Sequence, residues 1–369
     1  IKGLDVMQNA LFEQRLENLK TVIDSNNQAL LITNEKNIGY FCGFFHSEGY
    51  LLVTENETVL FVDFRYYEAA LKKSSCCKVV CFTKLFKDLI SELKNNSVVK
   101  VLFEASNITV EKYSRFKKAF SENGIDCICN SILDDKIDNI RCIKDKSEIT
   151  KIAKAQEITE KSYLEVLNYL KPGVSERRIA LELEHLIKLN GGEGVSFDLI
   201  TITGKKTSLP HGVPSDDTVS EGDFFTFDIG SIFEGYHSDT TRTVAVKSAS
   251  EEMRKVYDTV LKAQLAVLDS VKPGAKCSDV DKIARDIISE NGYGKYFGHA
   301  TGHGVGLDIH ESPVVSPRSE TTLKKGMIIT DEPGIYLPGK FGVRIEDMLC
   351  VTDTGYKNFV SLPKELIIV

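Results

Sequence analysis

The chain has 369 residues, of which 42% are hydrophobic and 27% charged, and a formal net charge of −7. That length suits two globular domains better than one. The acidic balance, with no cluster of five or more Lys/Arg, argues against a nucleic-acid surface, and no apolar run approaches the ~20 residues of a membrane span.

The first thirty residues lack the charged-then-apolar pattern of a signal peptide. Met7 is a candidate native start, which would set residues 1–6 apart. Nine cysteines, an odd number without a C-x-x-C pair, read as reduced thiols in a cytoplasm. Cys76 with Cys77, and Cys127 with Cys129, are conceivable soft-metal pairs. Their strand-like apolar surroundings favour packing instead.

Residues 1 to about 135 alternate strand-like and helix-like text. ALLIT (29–33), YLLVT (50–54) and TVLFVD (58–63) are short β-rich runs. FRYYEAALKKS then reads as a helix, CKVVCF as a strand, KLFKDLISELKNN as a helix and VKVLFE as a strand. VEKYSRFKKAFSENG follows as a helix closed by Gly124, and IDCIC as a strand. This rhythm predicts a small α/β sheet domain, with one histidine, His46, and no cluster of ligand-type residues. The domain boundary is placed at 138/139, giving domains 1–138 and 139–369.

A long amphipathic helix is predicted from Asp145 to Leu170, stopped by Lys-Pro-Gly. A second starts at Ser175 and ends at Asn190-Gly191-Gly192. LKPGVSERRIALELEHLIKLNG (170–191) then recurs as VKPGAKCSDVDKIARDIISENG (271–292). Two copies are too few for a solenoid. They predict an internal pseudo-twofold in the C-terminal domain, with a site at the seam.

Four of the seven histidines fall in two glycine-bearing segments, SLPHG with His211 and FGHATGHGVGLDIHE with His299, His303 and His310. FFTFDIGSIFEGYHSDTTRT (224–243) sets Asp228 in a strand that reads as buried and Asp239 on the next strand of a hairpin turning near Phe233–Gly235. GMIITDEPGIYLPGKFGVRIEDMLCVT carries Glu332 after one strand. A second strand, GVRIEDMLCVT, places Arg344 and Glu346 on one face. Buried carboxylates are costly unless paired or metal-bound. Asp228, Asp239, His303, Glu332 and Glu346 together make an oxygen-rich set with one imidazole, which suits Mn²⁺, Co²⁺ or Fe²⁺, with Zn²⁺ possible. Asp331, beside Glu332, faces the other side of the strand and is not counted as a sixth ligand.

These motifs resemble the pita-bread metallopeptidases, the family of methionine aminopeptidase, aminopeptidase P and prolidase, over most of residues 140–369. YFCGFFHSEGYLLVT and FVDFRYYEAA are similar to the creatinase-type N-terminal domain of the prolidase and aminopeptidase P branch. The resemblance implies an α+β protein, a creatinase-type α/β domain followed by a pita-bread domain with pseudo-twofold symmetry. It implies two divalent metal ions, Mn²⁺ foremost, with Asp239 and Glu346 touching both, Asp228 on one, and His303 and Glu332 on the other. It further implies that His211 and His310 line the cleft near the scissile carbonyl and that Glu332 moves a proton between water and leaving nitrogen. His299 would stand at a proline pocket, and Arg344 would brace Glu346 or meet the substrate. Tyr236 and Thr241 would support the ligands, while His237 would be structural.

The activity so implied is metal-dependent hydrolysis of the Xaa-Pro bond, in dipeptides as by a prolidase or at the N-terminus of longer peptides as by an aminopeptidase P. A homodimer is implied as well. A methionine-aminopeptidase-like peptidase and a non-catalytic peptide-binding module are the alternatives. Creatinase has the fold without the ligands, whereas all five positions are filled here.

Overall fold

The computed structural model describes residues 2–45 and 48–369, with side chains from Asn9 onward; His46 lies outside the described residues. Two compact units divide the chain between Ile140 and Arg141. The helix Ser131–Cys142 runs through that point.

The first unit is built on a six-stranded sheet. Its strand order is Lys78–Cys81, Thr58–Val62, Tyr50–Val53, Gln28–Ile32, Lys100–Glu104, Asp126–Asn130. Tyr50–Val53 runs antiparallel to both of its neighbours, while the remaining pairings are parallel. Phe103, Phe116 and Phe120 pack against each other in its core, with ring centroids 5.4–6.2 Å apart. Three helices here, Lys2–Lys20, Glu35–Cys42 and Ser131–Cys142, are absent from the sequence reading. The second is buried at every position from Asn37 to Cys42, so it shows no amphipathic period. It is started by Asn34, whose side chain accepts from the amides of Lys36 and Asn37.

The second unit repeats one pattern twice. The helix Glu176–Leu189 is capped by Ser175, and the helix Cys277–Glu290 begins after Lys276. These two preceding residues each form an isolated bridge, Ser175 with Thr218 and Lys276 with Thr322. Gly173 and Gly274 donate to Val219 and Leu323 at 2.8 and 2.9 Å. Both glycines hold positive φ, 89° and 86°, as the two Lys-Pro-Gly turns require. Each helix packs on a longer one, Lys146–Val166 and Glu251–Ser270 respectively. Asp145 and Glu148 form a capping box at the start of the former.

The sheets repeat too. In the first half, Phe224–Ile229 pairs antiparallel with Ile200–Thr203 on one side and Thr240–Ala245 on the other. In the second, Ile328–Asp331 pairs antiparallel with Gly302–Gly304 and Asp347–Val351. Between Phe224–Ile229 and Thr240–Ala245 a small hairpin turns at Glu234 and Gly235, both at positive φ.

One element differs from its sequence expectation. GVRIEDMLCVT is two strands, not one: Phe341–Arg344 pairs with Gly334–Leu337, and Asp347–Val351 pairs with Ile328–Asp331. The break at Ile345–Glu346 is stitched to the first half of the repeat. The amide of Glu346 donates to the Thr241 carbonyl at 3.1 Å, and Arg242 Nη1 donates to the Glu346 carbonyl at 2.6 Å.

Gly230 marks a close approach between the strand ends that carry Asp228 and Asp239. A Cβ there would stand 2.0 Å from the Ser238 carbonyl oxygen and 2.8 Å from the Ser196 side chain. Gly230→Ala is therefore expected to destabilise the protein by about 1–3 kcal/mol, read as a lower urea midpoint with unchanged slope. An unchanged midpoint would show that the backbone yields at this point.

Candidate active site

The repeat places the candidate ligands in matched positions. Asp228 lies within the central strand of the first half, and Glu332 directly follows that of the second. Asp239 and Glu346 each sit one residue before an outer strand. His303 is in the middle of Gly302–Gly304.

All five line one cavity of about 620 Å³, together with His211, His299, His310 and Arg344. Single ligand atoms of Asp239, His303 and Glu346 lie within 4.8 Å of one another. His303 Nε2 is 3.5 Å from Asp239 Oδ2 and 3.6 Å from Glu332 Oε1. His303 Nδ1 is 3.0 Å from the Gly304 carbonyl oxygen. That contact suits Nδ1 as the protonated nitrogen and leaves the Nε2 lone pair turned toward the carboxylates. Burial lowers the imidazole to about 4, so it is neutral near pH 7.

The carboxylates are held from behind. Thr241 Oγ1 donates to Glu346 Oε2 at 2.7 Å and accepts from Arg344 Nε at 3.0 Å. Arg344 Nη2 donates to Asp228 Oδ2 at 2.5 Å, and Nη1 to the Tyr336 hydroxyl at 2.7 Å. Tyr336 OH is also 2.9 Å from His299 Nε2, while His299 Nδ1 lies 2.7 Å from the Ala300 carbonyl oxygen. Arg344 thus braces Asp228 directly and Glu346 through Thr241.

Electrostatics separates this cluster from an ordinary polar pocket. Asp239 is pushed well above the usual range by burial, then by the charges of Glu346 and Asp228. Glu346 is pushed the same way by burial, then by Glu332 and Asp228. Glu332 is pushed up to about 8, mainly by burial and further by Asp228, against the lowering pull of Arg344. Cations placed among these oxygens would reverse the push. The donor set fits divalent metal: carboxylate oxygens, plus one neutral imidazole with a free nitrogen.

His310 and His211 stand differently. The His310 ring meets that of His303 edge-on, with centroids 4.4 Å apart. His211 and His310 are both exposed. His299 packs edge-on against Phe297 at 5.0 Å, and burial together with Arg344 lowers it to about 4.

Some placements depart from expectation. Tyr236 does not support the ligands: its hydroxyl donates to Glu148 Oε1 at 3.1 Å. Asp331 faces away from Glu332, as its place on the strand dictates, but it is fully buried and neither oxygen has a partner among the described residues. Burial and the neighbouring Asp347 push its carboxyl well above the usual range. Three residues that matter here were not foreseen. Tyr336 links Arg344 to His299. Arg242 bonds Asp347 at 2.8 Å as well as the Glu346 carbonyl. Glu176, also unforeseen, is fully buried and accepts from the Thr203 amide at 2.8 Å and from Lys206 Nζ at 2.6 Å, anchoring the segment that leads to His211. The weak signals were a Tyr two residues after Pro-Gly, an Arg within a threonine run, and a Glu just after a helix cap.

A match to the model of "Metallopeptidase family M24" covers residues 150–353, and one to "Creatinase/Prolidase N-terminal domain" covers residues 15–143. The Xaa-Pro dipeptidase of Pyrococcus furiosus is 40% identical over 359 residues, 96% of this chain and 100% of that protein. Among solved structures, an Xaa-Pro dipeptidase from Bacillus anthracis superposes with a TM-score of 0.93 at 38% identity, covering 97% of this chain and 100% of the other. An X-Pro aminopeptidase from Thermotoga maritima gives 0.86 at 34% identity, covering 93% and 97%.

Two predictions follow from the electrostatics and the bracing. Glu332 titrates in the folded metal-free protein at about 8 instead of 4.5, so it binds its proton more tightly folded than unfolded. Its stabilising contribution is complete below about 4.5 and is lost as pH rises to about 8. His299 and His303, lowered from 6.5 to about 4, oppose that trend only below 6.5. Chelated protein should therefore lose thermal stability between pH 6.5 and 8, and Mn²⁺ should abolish the loss. A flat profile without metal would contradict the mutual repulsion. Separately, Thr241→Val removes both the donor to Glu346 and the acceptor for Arg344, and calorimetry should show about 10–100-fold weaker Mn²⁺ binding.

Proposed function

The chain belongs to metallopeptidase family M24, and from that premise we propose that it hydrolyses the Xaa-Pro bond, with dipeptides as its main substrates. One observation carries the reading: four carboxylates and a neutral imidazole from both halves of the repeat converge on one cavity, with exposed histidines beside them. The preference for dipeptides over longer chains is supported by the relatives from P. furiosus and B. anthracis, both named Xaa-Pro dipeptidases.

Two divalent ions would be held by Asp228, Asp239, His303, Glu332 and Glu346. Mn²⁺ is favoured by the predominance of oxygen donors. Bound there, metal supplies an acidified water and polarises the scissile carbonyl. The chain's own residues do the rest. Glu332, at the cavity wall, is positioned to take a proton from water and deliver it to the leaving nitrogen. His211 and His310 are placed to donate to the oxygen that gains charge. His299, neutral and packed edge-on against Phe297, offers an apolar face to the proline ring. Arg344, committed to Asp228, Thr241 and Tyr336, keeps the carboxylates aligned rather than reaching far into the cleft. Among the described residues no helix is long and apolar enough to cross a membrane. A cytoplasmic homodimer belongs to the same reading and is supported by the family resemblance.

The test is hydrolysis of Leu-Pro and Leu-Pro-Ala by chelated protein, before and after adding Mn²⁺. Metal-dependent cleavage of Leu-Pro, with Leu-Pro-Ala spared, is the expected result. Cleavage of the tripeptide instead would make the protein an aminopeptidase, and cleavage of neither would remove the Xaa-Pro reading. In the active protein, Glu332→Gln should lower kcat by about 10²–10⁴-fold.

A further inference from the structure

Five carboxylates line the cavity, and only four are candidate ligands. The fifth is Asp198. It is exposed, and no hydrogen bond or ion pair reaches it from any described residue. It stands two residues before Ile200, whose Cα lies opposite that of Asp228 in the strand pairing. An uncompensated anion is therefore built into the wall beside the metal-binding carboxylates.

Several apolar side chains line the same cavity. Phe197 and Leu199 flank Asp198 in the chain, and Val213 and Pro214 are among the others, with Val213 77% exposed. A wall of this kind suits a side chain with a methylene stem and a cationic tip. The stem lies along the apolar surface while the charged end stays hydrated and meets the carboxylate, as lysine and arginine do wherever they border apolar surface.

Resting on the Xaa-Pro reading, we propose that Asp198 sets a preference for substrates in which a lysine or arginine precedes the proline. A dipeptide leaves few other uses for this carboxylate. The proline ring carries no charge, and the free C-terminal carboxylate would be repelled. Two cationic groups remain: the α-ammonium, common to every substrate, and the side chain of the first residue. Only the second changes selectivity, so the two are separable by experiment.

The experiment compares kcat/KM for Lys-Pro and Leu-Pro in the Mn²⁺-loaded full chain. The wild type should favour Lys-Pro, and the ratio should fall between 0.1 and 1 M salt as the screening length shrinks from about 10 Å to about 3 Å. Asp198→Asn should lower the ratio about fivefold, the scale of a solvent-exposed ion pair. Asp198→Lys should lower it further and raise Glu-Pro relative to Leu-Pro. A ratio unmoved by both substitutions and by salt overturns the proposal. So does an equal fall for every substrate, which would assign Asp198 to the α-ammonium. If the wild type cleaves neither dipeptide, the Xaa-Pro reading fails and the preference falls with it. Cleavage of both with an unmoved ratio sinks the preference alone.

Discussion

Four carboxylates converging on one cleft must be matched by positive charge, because like charges about 4 Å apart repel by roughly 4 kcal/mol at an effective dielectric of 20. The second unit is organised around that constraint. Its protein-borne counter-charge at the ligands is Arg344, committed to Asp228. His303 adds no charge when neutral. Hydroxyls from Thr241 and Thr330 reach Glu346 and Glu332. Hydroxyl donors orient carboxylates without neutralising them, so the balance falls to bound cations.

The pseudo-twofold explains how one chain gathers such a cluster. Each half presents one acid near or just past the end of a central strand and another just before an outer strand. Duplicated backbone geometry therefore delivers four candidate oxygen ligands from two copies of one unit. The halves are tied across the seam by the Thr241–Glu346 pairing and by Arg242, which is 2% exposed and spans Thr241, Glu346 and Asp347. An arginine suits this role because its planar fork bonds four carbonyls and a carboxylate at once. Symmetry is broken at the imidazoles: the candidate imidazole ligand comes from the second half alone, and His211 enters on a loop from the first.

Much of this was legible in the sequence because the informative residues break local rules. An acid in an aromatic strand, as at Asp228, and histidines crowded among glycines conflict with simple packing, and such conflicts mark functional positions. The Lys-Pro-Gly repeat was legible for a similar reason: its glycines hold backbone that other residues avoid. What stayed hidden was relational. Tyr336 and Arg242 look like ordinary strand residues until their partners, distant in sequence, are known. The helix Glu35–Cys42 was invisible because burial on every side erases its period. The split at Ile345–Glu346 was invisible because the break is satisfied by Thr241 and Arg242, about a hundred residues earlier.

Charge balance also bears on how many cations the cluster would hold. One dication against Asp228, Asp239, Glu332 and Glu346, with Arg344 beside them, leaves net negative charge in a buried site. Some carboxyls would then have to stay protonated, and a protonated carboxyl is a poor ligand. Two dications allow all four to ionise and leave Arg344 slightly in excess. That excess is tolerable because Arg344 also contacts the Tyr336 hydroxyl and the Pro210 carbonyl, two neutral dipoles that spread its charge. On charge alone, the fourth carboxylate favours a second cation at the candidate site. Replacing Asp228 by a neutral residue would leave Arg344 without its anion while lowering the demand for the second cation, so the first ion should remain as the second is lost.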